Sequence, residues 1–186
     1  MSEPLHGTRI AIVATDGFEQ SELLEPKKAL ETAGAETEVI APRAGEIRGW
    51  KMKDWGNKVK VDRTLADAKV DDYDALVLPG GVMNPDQLRI DAKAVEFIRK
   101  FASTERPVAA ICHGPWTLVE AGVVQGRTFT SWPSLKTDLK NAGATWVDEE
   151  VAVSGHFISS RKPDDIPAFV KTLIGMLEEK RRKEAA

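Results

Sequence analysis

The fold of this chain is indicated most clearly by one segment, Pro107-Val-Ala-Ala-Ile-Cys-His-Gly-Pro-Trp116. Its first residues form a short apolar run, which is typical of a buried strand, and the residues after Gly-Pro are compatible with a helix. The segment therefore predicts a strand that turns sharply into a helix, with Cys112 at the corner. Such a corner lies at the carboxyl end of a sheet, as do the nucleophiles of strand-turn-helix hydrolases.

Cys112 is the only cysteine in the chain, and two interpretations of it stay open. Near a helix N-terminus, free backbone N–H groups and the helix dipole stabilise a thiolate, which favours a reactive residue. The alternative is a small, buried apolar side chain, which is the more frequent role of an unpaired cysteine. A single cysteine also excludes an internal disulfide, so we expect a reducing, cytoplasmic location.

The overall composition narrows the class of protein. The chain has 26 lysines and arginines against 29 aspartates and glutamates, a formal charge of -3, so a basic nucleic-acid-binding surface is not expected. Its apolar runs are shorter than the ~20 residues that span a bilayer, and residues 1–6 show no secretory signal pattern. We therefore expect a single domain over residues 1–186 that binds neither nucleic acid nor membranes.

A β-α-β unit opens the chain. Residues 8–14 form an apolar run, residues 19–33 have a helical spacing of apolar side chains, and residues 36–41 alternate as a strand. This order predicts parallel strands joined by a right-handed crossover. Residues 42–64 differ in character, because glycines separate their tryptophan and valine residues, and they predict an inserted β-hairpin.

The rest of the chain continues the alternation. We expect a buried strand at 73–78, a helix at 91–102, the strand that ends at Cys112, and a final helix at 163–183. Short late strands are predicted at 127–130, 146–147, 151–153 and 156–158. The order of elements predicts an α/β fold, a three-layer sandwich around a mostly parallel sheet.

In such sheets ligands bind beyond the carboxyl ends of the strands, and three strand ends carry distinctive residues. One precedes Glu19, one precedes Gly80 and Gly81, and one ends at Cys112. A carboxylic acid beside a thiol can take its proton. Glycine N–H groups, joined by one from the elbow such as that of Gly114, can bind an oxyanion. The simpler alternatives are an acid in the first turn of a helix and an ordinary Gly-Gly turn.

Imidazole and indole side chains complete the predicted site. His113 follows Cys112 directly, so it could donate to the thiolate, to a substrate or across a subunit boundary. Trp132 follows a late strand and is either a side of the thiol pocket or a core residue. One cysteine and three scattered histidines have no metal-ligand spacing. The chain has no glycine-rich phosphate loop, so neither a metal nor a nucleotide cofactor is expected.

Five segments together resemble the PfpI-type intracellular protease family, in the ThiJ/PfpI branch of the class I glutamine-amidotransferase-like folds. The segments are Gly17-Phe-Glu19 with Glu22, Asp74-Ala-Leu-Val-Leu-Pro-Gly-Gly81, Pro107-Val-Ala-Ala-Ile-Cys-His-Gly-Pro115, Thr130-Ser-Trp-Pro133 followed by Asn141-Ala-Gly143, and Ser159-Ser-Arg161 with Pro163-Asp164. In order and spacing they span nearly the whole chain. The resemblance implies a flavodoxin-like sandwich that assembles as a homo-oligomer, a dimer or larger.

The same resemblance implies roles for particular residues. Cys112 is the nucleophile, Glu19 is the acid hydrogen-bonded to its sulfur, and His113 is the neighbouring imidazole. In protease-type members an acid from a neighbouring subunit orients this histidine. Asp86 takes that position here, one methylene shorter than glutamate. Trp132 stands where many relatives carry tyrosine or histidine near the thiol.

Three hypotheses for the function remain. The first is a stress-protection enzyme that acts on small reactive carbonyls, with glyoxalase- or deglycase-like hydrolysis through a cysteine nucleophile. The second is an intracellular cysteine peptidase with a triad completed across a subunit interface. The third is a non-catalytic redox sensor or chaperone whose thiol is oxidised by peroxide. We expect the first, because a thiol, an acid and an imidazole supply that chemistry without a cofactor.

Overall fold

The computed structural model describes residues 3–186, so the expectation about residues 1–6 falls partly outside the described range. The strands are β1 Arg9–Val13, β2 Glu36–Ala41, β3 Glu46–Lys51, β4 Asp54–Lys60, β5 Arg63–Thr64, β6 Ala75–Leu78, β7 Val108–Ile111, β8 Thr128–Phe129, β9 Thr145–Trp146, β10 Ala152–Ser154 and β11 Phe157–Ser160. The helices are α1 Gln20–Thr32, α2 Met83–Leu88, α3 Ala92–Ala102, α4 Pro115–Ala121, α5 Lys136–Asn141 and α6 Ile166–Ala185.

A seven-stranded sheet with the order β10-β11-β7-β6-β1-β2-β5 forms the centre of the molecule. Strand β1 pairs in parallel with β2 on one side and with β6 on the other. The remaining pairs are also parallel, except that β10 runs antiparallel to β11. The predicted α/β fold with a mostly parallel sheet is confirmed.

Apolar side chains are buried on both faces of this sheet, which explains the continuous apolar runs in the sequence. Ile10 and Ile12 of β1 pack in the cluster that α1 and α6 cover. Ala11 and Val13 point the other way, because successive strand residues alternate, and they pack in the cluster that α3, α4 and α5 cover. The sheet is therefore the middle of three layers.

The inserted hairpin predicted within 42–64 is present as the antiparallel pair β3 and β4. Trp50 and Trp55 face each other across it, with ring centroids 5.4 Å apart. The Trp50 N–H donates to the Phe18 carbonyl at 2.7 Å, so the hairpin is attached to the segment before α1. The end of the insertion differs from the prediction, because β5 leaves the hairpin and joins the central sheet beside β2.

The late strands predicted at 127–130 and 146–147 are present as β8 and β9. Strands β8 and β9 form a separate parallel pair outside the central sheet. The short helices α2 and α5 were not predicted, and the proline of α2 lies in its first turn, where a helix tolerates it. In residues 3–186, the structure contains no helix with the length and apolar character needed to cross a membrane.

Candidate active site

The predicted elbow is formed at the end of β7. Cys112 has φ +62°, a left-handed backbone conformation that is unusual for a residue other than glycine. Its N–H donates to the Ser160 carbonyl and its carbonyl accepts from the Trp132 N–H, both at 3.0 Å. Gly114 completes the turn with an N–H bond of 2.9 Å to the Ile111 carbonyl. Hydrogen bonds from two neighbouring segments thus hold the thiol in its position.

The acid beside the thiol is Glu22, and the assignment of this contact to Glu19 was wrong. The Glu19 carboxylate caps α1, because it accepts the Glu22 N–H at 3.0 Å and also the Ser21 hydroxyl. Glu22 is fully buried one turn further on, and its carboxyl lies against the Cys112 side chain. The simpler alternative for Glu19, an acid at the start of a helix, is the one observed.

Burial and a neighbouring charge keep the Glu22 carboxyl protonated at neutral pH. Burial, helped by the charge of Glu19, raises the pKa of Glu22 to about 8, so its protonated form persists at neutral pH. Oε2 accepts the Gly80 N–H at 2.8 Å. Oε1 has no nitrogen or oxygen partner within residues 3–186. One oxygen of the carboxyl is thus held by the Gly80 N–H, and the other is buried with no hydrogen-bond partner among residues 3–186.

The thiol has opposing influences on its ionisation. Burial, followed by the nearby Glu22 charge, raises the pKa of Cys112, whereas the N–H groups of Gly81 and His113 lower it. Burial outweighs the helix terminus, so the expectation of a thiolate favoured by α4 is not met in the resting site. The sulfur needs a base when it reacts.

Only one of the three glycines predicted to bind an oxyanion has its N–H directed at the sulfur. The N–H groups of Gly80 and Gly114 are used by Glu22 and by the Ile111 carbonyl, which removes both as free donors. The Gly81 N–H points to the sulfur, together with the N–H of His113. The site thus has a pair of backbone donors, but not the predicted set.

His113 is positioned to act as the base. Its Nδ1 lies 3.2 Å from the Cys112 sulfur, and its Nε2 lies 3.5 Å from the Ser134 hydroxyl oxygen. Burial lowers the pKa of His113, so the imidazole is neutral at physiological pH and can accept a proton. The structure therefore brings together a thiol, a neutral imidazole and a protonated carboxyl.

Comparison with known proteins identifies the family. The model of the DJ-1/PfpI family matches residues 8–176. The chain belongs to the DJ-1/PfpI family. General stress protein 18 of Bacillus subtilis (strain 168) is 44% identical over 173 residues, which cover 92% of this chain and 99% of that protein. Deglycase PYRAB04690 of Pyrococcus abyssi (strain GE5 / Orsay) is 42% identical over 170 residues, which cover 91% and 99%.

A solved structure supports the same assignment. A protein from Anabaena variabilis ATCC 29413 with DJ-1/ThiJ/PfpI-like and ferritin-like domains superimposes with a TM-score of 0.87 at 32% identity. The alignment covers 91% of this chain and 48% of that one. The present DJ-1/PfpI chain thus corresponds to about half of that two-domain protein.

Two residues predicted at the edge of this DJ-1/PfpI site have different surroundings. Trp132 is attached to the elbow through its N–H on the Cys112 carbonyl, with its indole stacked on the His113 ring at 6.2 Å and 23°. Asp86 lies on α2 with an exposed side chain, and its N–H donates to the Val82 carbonyl. Its predicted action on the histidine of a neighbouring subunit stays a prediction.

One residue that positions this DJ-1/PfpI site was not predicted. Asn84 is fully buried, and its Oδ1 accepts the Thr15 N–H at 2.8 Å. Its Nδ2 donates to the carbonyls of Pro79 and Gly80. Asn84 therefore joins the loops after β1 and β6. Among residues 3–186 no cluster of three or more His, Cys, Asp or Glu side chains is arranged to hold a metal ion.

Proposed function

We propose that this protein is a cysteine-dependent enzyme that converts small 1,2-dicarbonyl compounds into 2-hydroxy acids by adding water. The observation that carries the proposal is the group at the elbow. Nδ1 of His113 lies 3.2 Å from the Cys112 sulfur, and the buried Glu22 carboxyl lies against the same side chain. A base, a nucleophile and an acid in contact are the components that carbonyl addition requires.

The first step is addition to the aldehyde. His113 takes the thiol proton as the sulfur forms a bond to the aldehyde carbon, and the electron pair of the C=O bond moves to oxygen. The N–H groups of Gly81 and His113 donate to this oxygen, and Glu22 then transfers its proton to it. The product of this step is a hemithioacetal on Cys112.

The second step rearranges this adduct. The Glu22 carboxylate removes the proton on the attacked carbon and returns it to the neighbouring carbon, while the hydroxyl proton moves between the two oxygens. The result is a thioester of a 2-hydroxy acid. Water then displaces the sulfur, which recovers a proton from His113. The hydroxy acid leaves as a carboxylate, and Glu22 is reprotonated from solvent, so the balance is one water added.

The relatives agree in class with this proposal. One is named as a general stress protein and another as a deglycase, and both names are compatible with chemistry on reactive carbonyls. The contact of the buried Glu22 carboxyl with Cys112, and the capping role of Glu19, support Glu22 as the acid in this proposal.

The test is methylglyoxal consumption with lactate measured directly. We expect Cys112→Ala to abolish lactate formation. Glu22→Gln should lower kcat/KM by roughly 100-fold or more, the usual effect of losing an acid-base group. Glu25→Gln is the matched control on the same helix and should stay close to wild type, because its side chain is exposed.

Two results would contradict the proposal. Lactate formation that survives in Cys112→Ala removes the nucleophile from the mechanism. The absence of lactate from the wild type would direct work to the other two hypotheses, through peptide hydrolysis and through peroxide titration of the thiol followed by mass measurement.

A further inference from the structure

Trp132 combines a fixed backbone with an accessible ring. Its N–H donates to the Cys112 carbonyl at 3.0 Å, and its carbonyl accepts from the Leu135 N–H and the Ser131 hydroxyl. Pro133 follows, which restricts Trp132 to an extended conformation. The residue is thus attached directly to the elbow, yet 41% of its surface is exposed.

The accessible aromatic surface beside the thiol belongs to the indole rather than to the imidazole. The two rings are nearly parallel at 23°, but His113 is buried. A second exposed apolar side chain, Val82 at 57% exposure, directly follows Gly81, whose N–H faces the sulfur. The loop after β8 therefore presents an exposed indole that is attached to the elbow backbone and stacked on the His113 ring.

From this arrangement we infer that the Trp132 indole forms a subsite for a flat, apolar substituent on the carbonyl carbon next to the one that Cys112 attacks. The inference deepens the proposed function and rests on it. Arylglyoxals would be preferred to methylglyoxal, because an aromatic substituent can stack on the indole, whereas a methyl group leaves most of the indole face uncovered.

Turnover provides the first test. Wild-type kcat/KM should be higher for phenylglyoxal than for methylglyoxal. Trp132→Ala should lower the ratio of kcat/KM for phenylglyoxal to kcat/KM for methylglyoxal by roughly 2- to 10-fold, which is the contribution expected from one aromatic stacking contact. Trp132→Phe should restore most of the ratio. Trp55→Ala is the matched control, because Trp55 is also 41% exposed but lies on the hairpin, and it should leave the ratio unchanged.

Alkylation of the thiol tests the subsite without turnover. The Cys112 sulfur displaces bromide from phenacyl bromide or from bromoacetone, so that an S–C bond forms as the C–Br bond breaks. Relative to a free thiol, the wild type should favour phenacyl bromide, and Trp132→Ala should lose that preference.

The two experiments separate the two proposals. Turnover of both glyoxals with no preference for the aryl compound would overturn the subsite and leave the proposed function intact. An equal decrease of kcat/KM for both glyoxals in Trp132→Ala would do the same. No turnover of either glyoxal, with a preference for phenacyl bromide that depends on Trp132, would overturn the proposed function and support the aryl-binding surface.

Discussion

At the scale of single residues, the decisive side chain is a carboxyl on the apolar side of a helix. Glu22 is buried together with Leu23, Pro26 and Leu30 of α1. A carboxyl among the apolar positions of a helix can be recognised in the sequence, and it indicates a specific role because ionisable side chains are rarely buried without a partner. The sequence favours Glu19 as the acid beside the sulfur, because Glu19 directly follows the loop at the end of the first strand. The start of α1 at Gln20 makes it a cap instead.

The raised pKa of Glu22 makes the stability of the fold dependent on pH. Between about pH 5 and pH 8 the unfolded chain loses the Glu22 proton while the folded chain keeps it. The free energy of unfolding should therefore fall as pH rises, by at most about 1.4 kcal/mol per unit from this group. Glu22→Gln should reduce that slope. Urea denaturation at several pH values measures it.

The control for this measurement is Glu25→Gln. Glu25 lies on the same helix with an exposed side chain, so the slope should stay as in the wild type. A wild-type stability that rises over this pH range, or an unchanged slope in Glu22→Gln, would show that the folded protein does not retain the proton on this carboxyl.

At the scale of elements, the elbow could be predicted from the sequence, and the structure adds the backbone conformation of Cys112. The apolar run and Gly-Pro indicate the strand, the turn and the helix. The backbone of Cys112 is left-handed and is held by hydrogen bonds to Ser160 and Trp132, which lie far away in the sequence. Short helices such as α2 and α5 escaped prediction for a related reason, because six residues contain too little periodicity and tertiary packing stabilises them.

The strain at the elbow gives a stability prediction. Cys112→Gly should be more stable than Cys112→Ala by roughly 1 kcal/mol, because glycine adopts a positive φ freely. At an ordinary position the order is reversed. Ala33→Gly, at φ -81°, is the control and should be destabilised. Chemical denaturation of the three variants provides the comparison, and an alanine variant more stable than the glycine variant would show that the elbow is not strained.

At the scale of the whole molecule, the order of strands brings distant residues to one edge. Strands β1, β6 and β7 are adjacent, so Glu22, Gly81 and Cys112 meet although they are far apart in the sequence. The α/β class and this meeting point were predictable, because parallel strands present their carboxyl ends together. The identity of each contact was not, because it depends on where α1 begins and on which N–H groups the fold already uses.

Asp86 provides a prediction that concerns more than one copy of the chain. If its exposed carboxylate acts on His113 of a neighbouring subunit, Asp86→Ala and Cys112→Ala are both impaired alone. A mixture of the two should then regain activity, because a mixed pair keeps one complete site. Activity assays on the re-associated mixture measure this. Full activity of Asp86→Ala alone would show that the cross-subunit triad is not needed.

The close packing around Gly80 has a consequence for how this protein can diverge. A Cβ at that position would approach Glu22 Oε2, the Cβ of Cys112 and the His113 nitrogen, all within 2.8 Å. Any side chain at position 80 would therefore disturb the acid, the nucleophile and an N–H donor together. Descendants of this protein that keep the same chemistry must also keep this glycine. Adaptation to new substrates is left to side chains with room to vary, such as Val82 and Trp132.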